Sequence, residues 1–281
     1  MDSYAPGMET YSWRGRAVAW ERLGEPSPDR PAVVLCHGTP WSSALWRPVA
    51  ERLASAYAVH LWDMPGYGQS SKDPGHPVDL GVQGELFADL LSFWELERPH
   101  VVAHDFGGAV SLRATLLHGA SYSSLALVDV VALRPWGSPF FRLVHEHAEV
   151  FTQLPAAIHR GVVESYVRGA SHRGLTDEQL GTLVGPWTSE EGQRAFYAQI
   201  AQADERFTDE VEPRLAELDV PVRVVWGTED TWIPVDRAHR LVSAIPGSSL
   251  SLVEGAGHLI QYDATDELVG VLQEWLASQP A

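Results

Sequence analysis

Cysteine is nearly absent: the 281 residues hold one, Cys36, so no internal disulfide can form. Its place at the end of the apolar run Ala32-Val33-Val34-Leu35 makes it a small core side chain rather than a reactive thiol. Cations are scarce as well, with 20 Lys and Arg against 37 Asp and Glu and a formal net charge of −17. A nucleic-acid surface needs a basic patch to displace counterions, so that function class is excluded. Anionic substrates are disfavoured by long-range repulsion, and a neutral organic small molecule fits better. No run reaches the roughly 20 apolar residues of a membrane span, and Met1 to Thr10 has neither the basic start nor the apolar stretch of a secretory signal. A soluble cytoplasmic protein without a membrane partner is expected; a homo-oligomer is compatible with the sequence. The histidines follow no metal-binding helix motif, so neither a metal nor a cofactor is expected. Internal repeats and low-complexity segments are also lacking.

What is present is a large apolar fraction, 45%, with 11 tryptophans, enough to bury a sizeable core. Strand-like runs fall at Thr10–Trp13, Ala17–Arg22, Ala32–Cys36, Ala58–Trp62, His100–His104, Leu125–Asp129, Val222–Trp226 and Leu250–Val253, with helical patterns between the later ones. That alternation predicts an α/β fold with a mainly parallel, doubly covered sheet. From Val131 to about Asp219 the alternation stops, and helical sequence containing Pro and Trp takes over, from Arg134-Pro135-Trp136-Gly137 through Pro186-Trp187. The expected division is a core of residues 1–132 and 220–281 with a helical cap, 133–219, inserted after the sixth strand to roof the site and exclude water.

The chemistry centres on Val101-Val102-Ala103-His104-Asp105-Phe106-Gly107-Gly108. A strand runs into a helix there, and Ala103, Asp105 and Gly107 fill the pattern small-x-nucleophile-x-small that a sharp turn demands if the central side chain is to project from the sheet. Asp-x-Gly also marks ordinary turns, so the companions matter. His37-Gly38-Thr39-Pro40 follows the third strand, Gly227-Thr228-Glu229-Asp230 the seventh, and Gly255-Ala256-Gly257-His258 the eighth. Strand ends thus deliver Asp105, Asp230 and His258 in the order nucleophile, acid, histidine.

On these motifs the chain resembles the α/β-hydrolase superfamily, and within it the aspartate-nucleophile branch of epoxide hydrolases and haloalkane dehalogenases. His37-Gly38-Thr39-Pro40-Trp41-Ser42-Ser43-Ala44-Leu45-Trp46-Arg47 and Asp63-Met64-Pro65-Gly66-Tyr67-Gly68-Gln69-Ser70 extend the likeness over most of the chain. The resemblance implies the α/β-hydrolase fold and a covalent alkyl–enzyme ester on Asp105. A carboxylate is already ionised at neutral pH and can displace a leaving group from saturated carbon directly. His258 then activates water against the ester, and the amides of Thr39 and Phe106 form the oxyanion hole. Asp230 is the preferred partner of His258, with Asp129, at the end of the sixth strand, as the alternative. Glu229 is expected to face solvent, and His37 and His104 to shape the loop and the elbow.

Two substrate classes stay open. An epoxide needs a proton on its oxygen as the ring opens, which the family supplies from the cap; Tyr197 is the expected donor, and Tyr166 is read as a packing aromatic. A halide needs only hydrogen-bond donors, and the resemblance puts a tryptophan where Phe106 stands, which leaves Thr39, Trp136 or Trp187 for that task. Trp41, Trp136, Trp187, His145 and His147 are the expected substrate contacts. Ester or carbon–carbon bond hydrolysis, and a non-catalytic ligand-binding descendant, are the remaining alternatives.

Overall fold

The computed structural model describes residues 8–27 and 29–279; Met1 to Gly7, part of the N-terminal stretch in which no secretory signal is expected, lie outside them. Among the described residues eight strands form one sheet: β1 (Glu9–Trp13), β2 (Arg16–Leu23), β3 (Ala32–Cys36), β4 (Ala58–Trp62), β5 (His100–Asp105), β6 (Ser124–Val130), β7 (Val222–Gly227) and β8 (Ser249–Val253). Their order is β1-β2-β4-β3-β5-β6-β7-β8, antiparallel for the pairs β1/β2 and β2/β4 and parallel from β4 onward. This is the α/β-hydrolase fold. Each expected strand is present, and four of them continue a residue further: β2 to Leu23, β5 to Asp105, β6 to Val130 and β7 to Gly227.

Both faces are covered, so the central strands are apolar at successive residues instead of alternating with polar ones. Val34, Cys36, Val101, Ala103, Leu125 and Leu127 pack on one face with α2 (Leu80–Phe93) and α3 (Phe106–His118). Val33, Leu35, Val102, Ala126 and Val128 pack on the other with α1 (Arg47–Leu53). The period of two in burial partners survives although the period of two in polarity is lost.

Between β6 and β7 the chain runs through α4 (Pro139–Phe151), α5 (Ala156–Arg168), α6 (Asp177–Val184), α7 (Glu190–Ala201) and α8 (Arg206–Asp209). Side-chain caps start α4 and α7: the Ser138 hydroxyl accepts the Phe141 amide at 3.1 Å, and the Ser189 hydroxyl accepts that of Gly192 at 2.9 Å. This segment grips the loops at the C-terminal edge of the sheet. The Trp187 indole donates to the Pro40 carbonyl at 2.9 Å, the Val78 amide to Gln202 Oε1 at 2.8 Å, and the His172 amide to Asp263 Oδ2 at 2.8 Å. The chain finishes with α9 (Asp236–Ala244), α10 (Ile260–Asp263) and α11 (Thr265–Ala277). No helix among the described residues is long and apolar enough to cross a membrane.

Candidate active site

Asp105 ends β5 and precedes the first residue of α3, at φ 51° and ψ −122°, a region that costs an L-residue energy. The turn is held by close packing that only small residues permit. A Cβ on Gly38 would lie 2.3 Å from Asp105 Oδ1, and one on Gly108 would lie 2.3 Å from the Val130 Cβ. The small residues around the aspartate are therefore what lets its carboxylate stand at the sheet edge.

That carboxylate is held on two sides. The Thr39 amide donates to Asp105 Oδ1 at 2.6 Å, and the Phe106 amide, one of the N–H groups a helix start leaves free, stands on the same side. His258 Nε2 faces Asp105 Oδ2 at 3.4 Å. Behind it, His258 Nδ1 donates to Asp230 Oδ2 at 2.9 Å, while Asp230 Oδ1 accepts the amides of Trp232 and Ile233 at 2.8 and 2.9 Å. His104 Nε2 donates to the His258 carbonyl at 2.9 Å, and burial drives the His104 pKa down to about 3, so that ring stays neutral. Burial alone would also lower the His258 pKa. Asp230 first, then the hydrogen bond to Asp105, outweigh it and raise it well above the ordinary value. Trp232, stacked on His258 at 5.2 Å, presents the ring face an imidazolium favours.

Asp129 sits apart from the histidine. Its Oδ1 accepts the Gly227 amide at 2.9 Å, and its Oδ2 is buried with no hydrogen-bond partner. Burial, and then the charge of Asp230, push its pKa well above the carboxylate range. The structure thus brings Asp230, not Asp129, against His258. Glu229 lies outside this buried network, exposed to solvent as expected.

Over Asp105 lies a cavity of about 30 Å³, room for a water or two as the inserted helices stand here. Thr39, Phe106, Trp136, Phe141, Tyr166 and Trp232 form most of its wall, with Val131, Ser138 and Ile233. Tyr197 is not in that wall. It is fully buried, and since His159 Nε2 donates to the Trp187 carbonyl at 2.9 Å, His159 Nδ1 accepts the Tyr197 hydroxyl, also at 2.9 Å. The reversal between the two tyrosines has a physical reason: on α7 the Tyr197 ring points into the packing with Phe196 and Phe151, whereas α5 turns Tyr166 onto Trp232, 4.3 Å from ring to ring, above the carboxylate. The Tyr166 hydroxyl meets Ser138, and burial chiefly, with Asp105, raises its pKa so that it keeps its proton.

The expected substrate contacts divide in the same way. Trp136 lines the cavity, but its indole N–H is donated to Thr208 Oγ1 at 3.0 Å. Trp187 spends its N–H on Pro40, and Trp41 is buried against Trp232 with its ring 6.5 Å from that of His258. His145 and His147 are exposed on α4 outside the cavity, His145 with Nδ1 on the Ile200 carbonyl at 3.1 Å and His147 at a kink in the helix. Sequence reasoning passes over Gln199, fully buried on α7 and bonded to the Thr39 hydroxyl at 2.8 Å; a polar residue inside an apolar helix face is the available signal. Among the described residues no group of three or more His, Cys, Asp or Glu side chains is placed to hold a metal ion.

Comparison with known proteins came down on the same fold. The model of a family described as the alpha/beta hydrolase family matches residues 33–271. An alpha/beta hydrolase fold protein of Burkholderia ambifaria is 44% identical, with a TM-score of 0.91 over 95% of this chain and 97% of that one. A 2-hydroxy-6-oxononadienedioate/2-hydroxy-6-oxononatrienedioate hydrolase of Pseudomonas putida is 25% identical over 87% of each chain. The haloalkane dehalogenase DatA of Agrobacterium tumefaciens C58 shares the fold at 19% identity, with a TM-score of 0.81 over 97% of each chain.

Proposed function

The chain belongs to the alpha/beta hydrolase family, and on that premise we propose that it is a hydrolase that opens small neutral epoxides to diols through an ester on Asp105. The observation that carries this reading is Asp105 itself: a carboxylate at the elbow, its Oδ1 on the Thr39 amide and its Oδ2 beside His258, under a cavity walled by Tyr166. A carboxylate attacking an acyl carbon would give an anhydride; attacking a saturated carbon it gives an ester that water can cleave. This favours epoxide or halide substrates over ester and carbon–carbon substrates.

Asp105 Oδ2 attacks an epoxide carbon, the ring C–O bond breaks, and Tyr166 gives its proton to the departing oxygen. The ester carbonyl oxygen is then Oδ1, already in the grip of the Thr39 amide. Water attacks the ester carbon while His258 takes its proton, the charge on Oδ1 is held by the amides of Thr39 and Phe106, and collapse releases the diol and regenerates the carboxylate; the proton on His258 then returns through water to the Tyr166 phenolate, which closes the cycle. Esterification itself prepares the base. It removes the Asp105 charge that helps hold the His258 pKa up, so the imidazole loses its proton more readily when a base is needed.

The choice of an epoxide over a haloalkane rests on the donors. Trp136, Trp187 and the Thr39 hydroxyl, the candidates for holding a halide, each donate to a protein group instead, and Phe106 has no side-chain donor. Tyr166 supplies an acid, which an alkoxide needs and a halide does not. The test is turnover by the purified protein on matched panels of small epoxides and bromoalkanes, read as diol formation and halide release. Diol formation is the expected dominant reaction; halide release much faster than diol formation from any epoxide would overturn the assignment.

A further inference from the structure

Gln199 hangs from the inserted helix α7, 1% exposed, and its Oε1 accepts two hydroxyls, Thr39 Oγ1 at 2.8 Å and Tyr67 at 2.9 Å. Its Nε2 is buried with no partner. Leaving Nε2 unpaired costs stability, so packing alone does not account for a glutamine here; what it provides is an acceptor for the Thr39 and Tyr67 hydroxyls. Thr39 is also the residue whose amide donates to Asp105 Oδ1 at 2.6 Å, and the next residue, Pro40, is held through its carbonyl by Trp187. One residue is therefore fixed at both ends, amide on the nucleophile and hydroxyl on the inserted helices.

We propose that Gln199 is a positioning residue for the ester-hydrolysis half of the reaction: it fixes Thr39 so that its amide stays aimed at the carboxyl oxygen that gains charge in the tetrahedral intermediate. This rests on the reading of Asp105 as nucleophile. The two half-reactions use the amide differently. In the first, negative charge leaves the Asp105 carboxylate, so a donor on it gives no acceleration; in the second, charge develops on Oδ1 and the donor stabilises it. Loosening Thr39 slows only the second.

The experiment is rapid quench of Gln199→Leu with an epoxide, followed by intact-protein mass spectrometry and steady-state kinetics. The expected result is ester hydrolysis slowed roughly 10-fold or more, with the ester accumulating during turnover and kcat and KM falling together at nearly constant kcat/KM. A merely structural defect would lower kcat/KM without accumulation. Thr39→Val gives the same pattern, Thr39→Ser restores much of the hydrolysis rate, and Gln199→Leu with Thr39→Val is no slower than either alone. The Thr39 pair carries the test if Gln199→Leu does not fold. Ester hydrolysis at the parent rate in Gln199→Leu or Thr39→Val, or losses that multiply in the double variant, would overturn the proposal. If His258→Ala also fails to gain an ester, the nucleophile reading itself has failed; if it gains one, only the role of Gln199 has.

Discussion

The sheet edge and the inserted helices build the same cavity by different means. At the sheet edge the groups stand on strand ends and loops and are held closely: Asp105 by a strained turn, Asp230 by two backbone amides, and His258 by the Asp230 carboxylate on its ring and the His104 ring on its carbonyl. In the inserted helices position is a matter of which way a helix happens to face. Tyr197, fully buried, and Tyr166, half-buried, both stand on helices between β6 and β7, yet one spends its hydroxyl on His159 and the other walls the cavity. On the proposed reading, the groups at the sheet edge carry the chemistry and the helix-borne groups decide which substrate it meets.

This division is probed most strongly by Asp105→Ala, which is expected to lower turnover roughly 10⁴-fold or more with the fold retained by circular dichroism. Turnover near the parent rate would undo it. Next is Asp230→Asn, expected to lower kcat roughly 10³-fold by removing the charge that holds the His258 tautomer, an effect read in steady-state kinetics. Among the helix-borne groups, Tyr166→Phe is expected to slow epoxide opening roughly 10²-fold, in the range for loss of a general acid, with a much smaller effect on any haloalkane turnover. Tyr197→Phe should instead lower stability by about 1 kcal/mol, the worth of the bond to His159, and leave single-turnover epoxide opening close to the parent rate. The opposite ranking of the two tyrosines would show the faces of α5 and α7 exchanged in function.

The smallest expected effect belongs to Asp129. Its pKa is raised on folding by burial and by Asp230, so the folded state keeps a proton the unfolded chain releases, and stability falls as pH rises above the ordinary carboxylate value. Asparagine does not titrate, still accepts the Gly227 amide, and tolerates the positive φ of 43° found there. Asp129→Asn is therefore expected to melt about 2–4 °C higher than the parent at pH 8, with the difference shrinking toward pH 4, in calorimetry. Loss of activity in Asp129→Asn comparable to that of Asp230→Asn would mean the two carboxylates exchange partners during catalysis.

The same division explains what is legible in the sequence. Strand runs such as Ala32–Cys36, and the small residues around Asp105, state a backbone geometry that local physics already requires, so the residues alone point to the fold and to the trio Asp105, Asp230 and His258. Asp230 is preferred over Asp129 in the sequence but not separated from it, because both lie at or just beyond a strand end, and the amides of Trp232 and Ile233 that hold one toward the histidine come only with the fold. Tyr166 and Gln199 escape assignment, since their roles depend on how α5 and α7 rotate over the sheet. His145 and His147 read as substrate contacts for the same reason, and α4 turns them outward.

A covalent ester on Asp105 is tested most directly by mixing His258→Ala with an epoxide, followed by intact-protein and peptide mass spectrometry. Without its base the second half-reaction stalls, and a stable mass gain equal to the whole epoxide is expected, carried by the peptide that contains Asp105. No gain while the parent enzyme turns the same epoxide over, or a gain on any other residue, would contradict the aspartate mechanism.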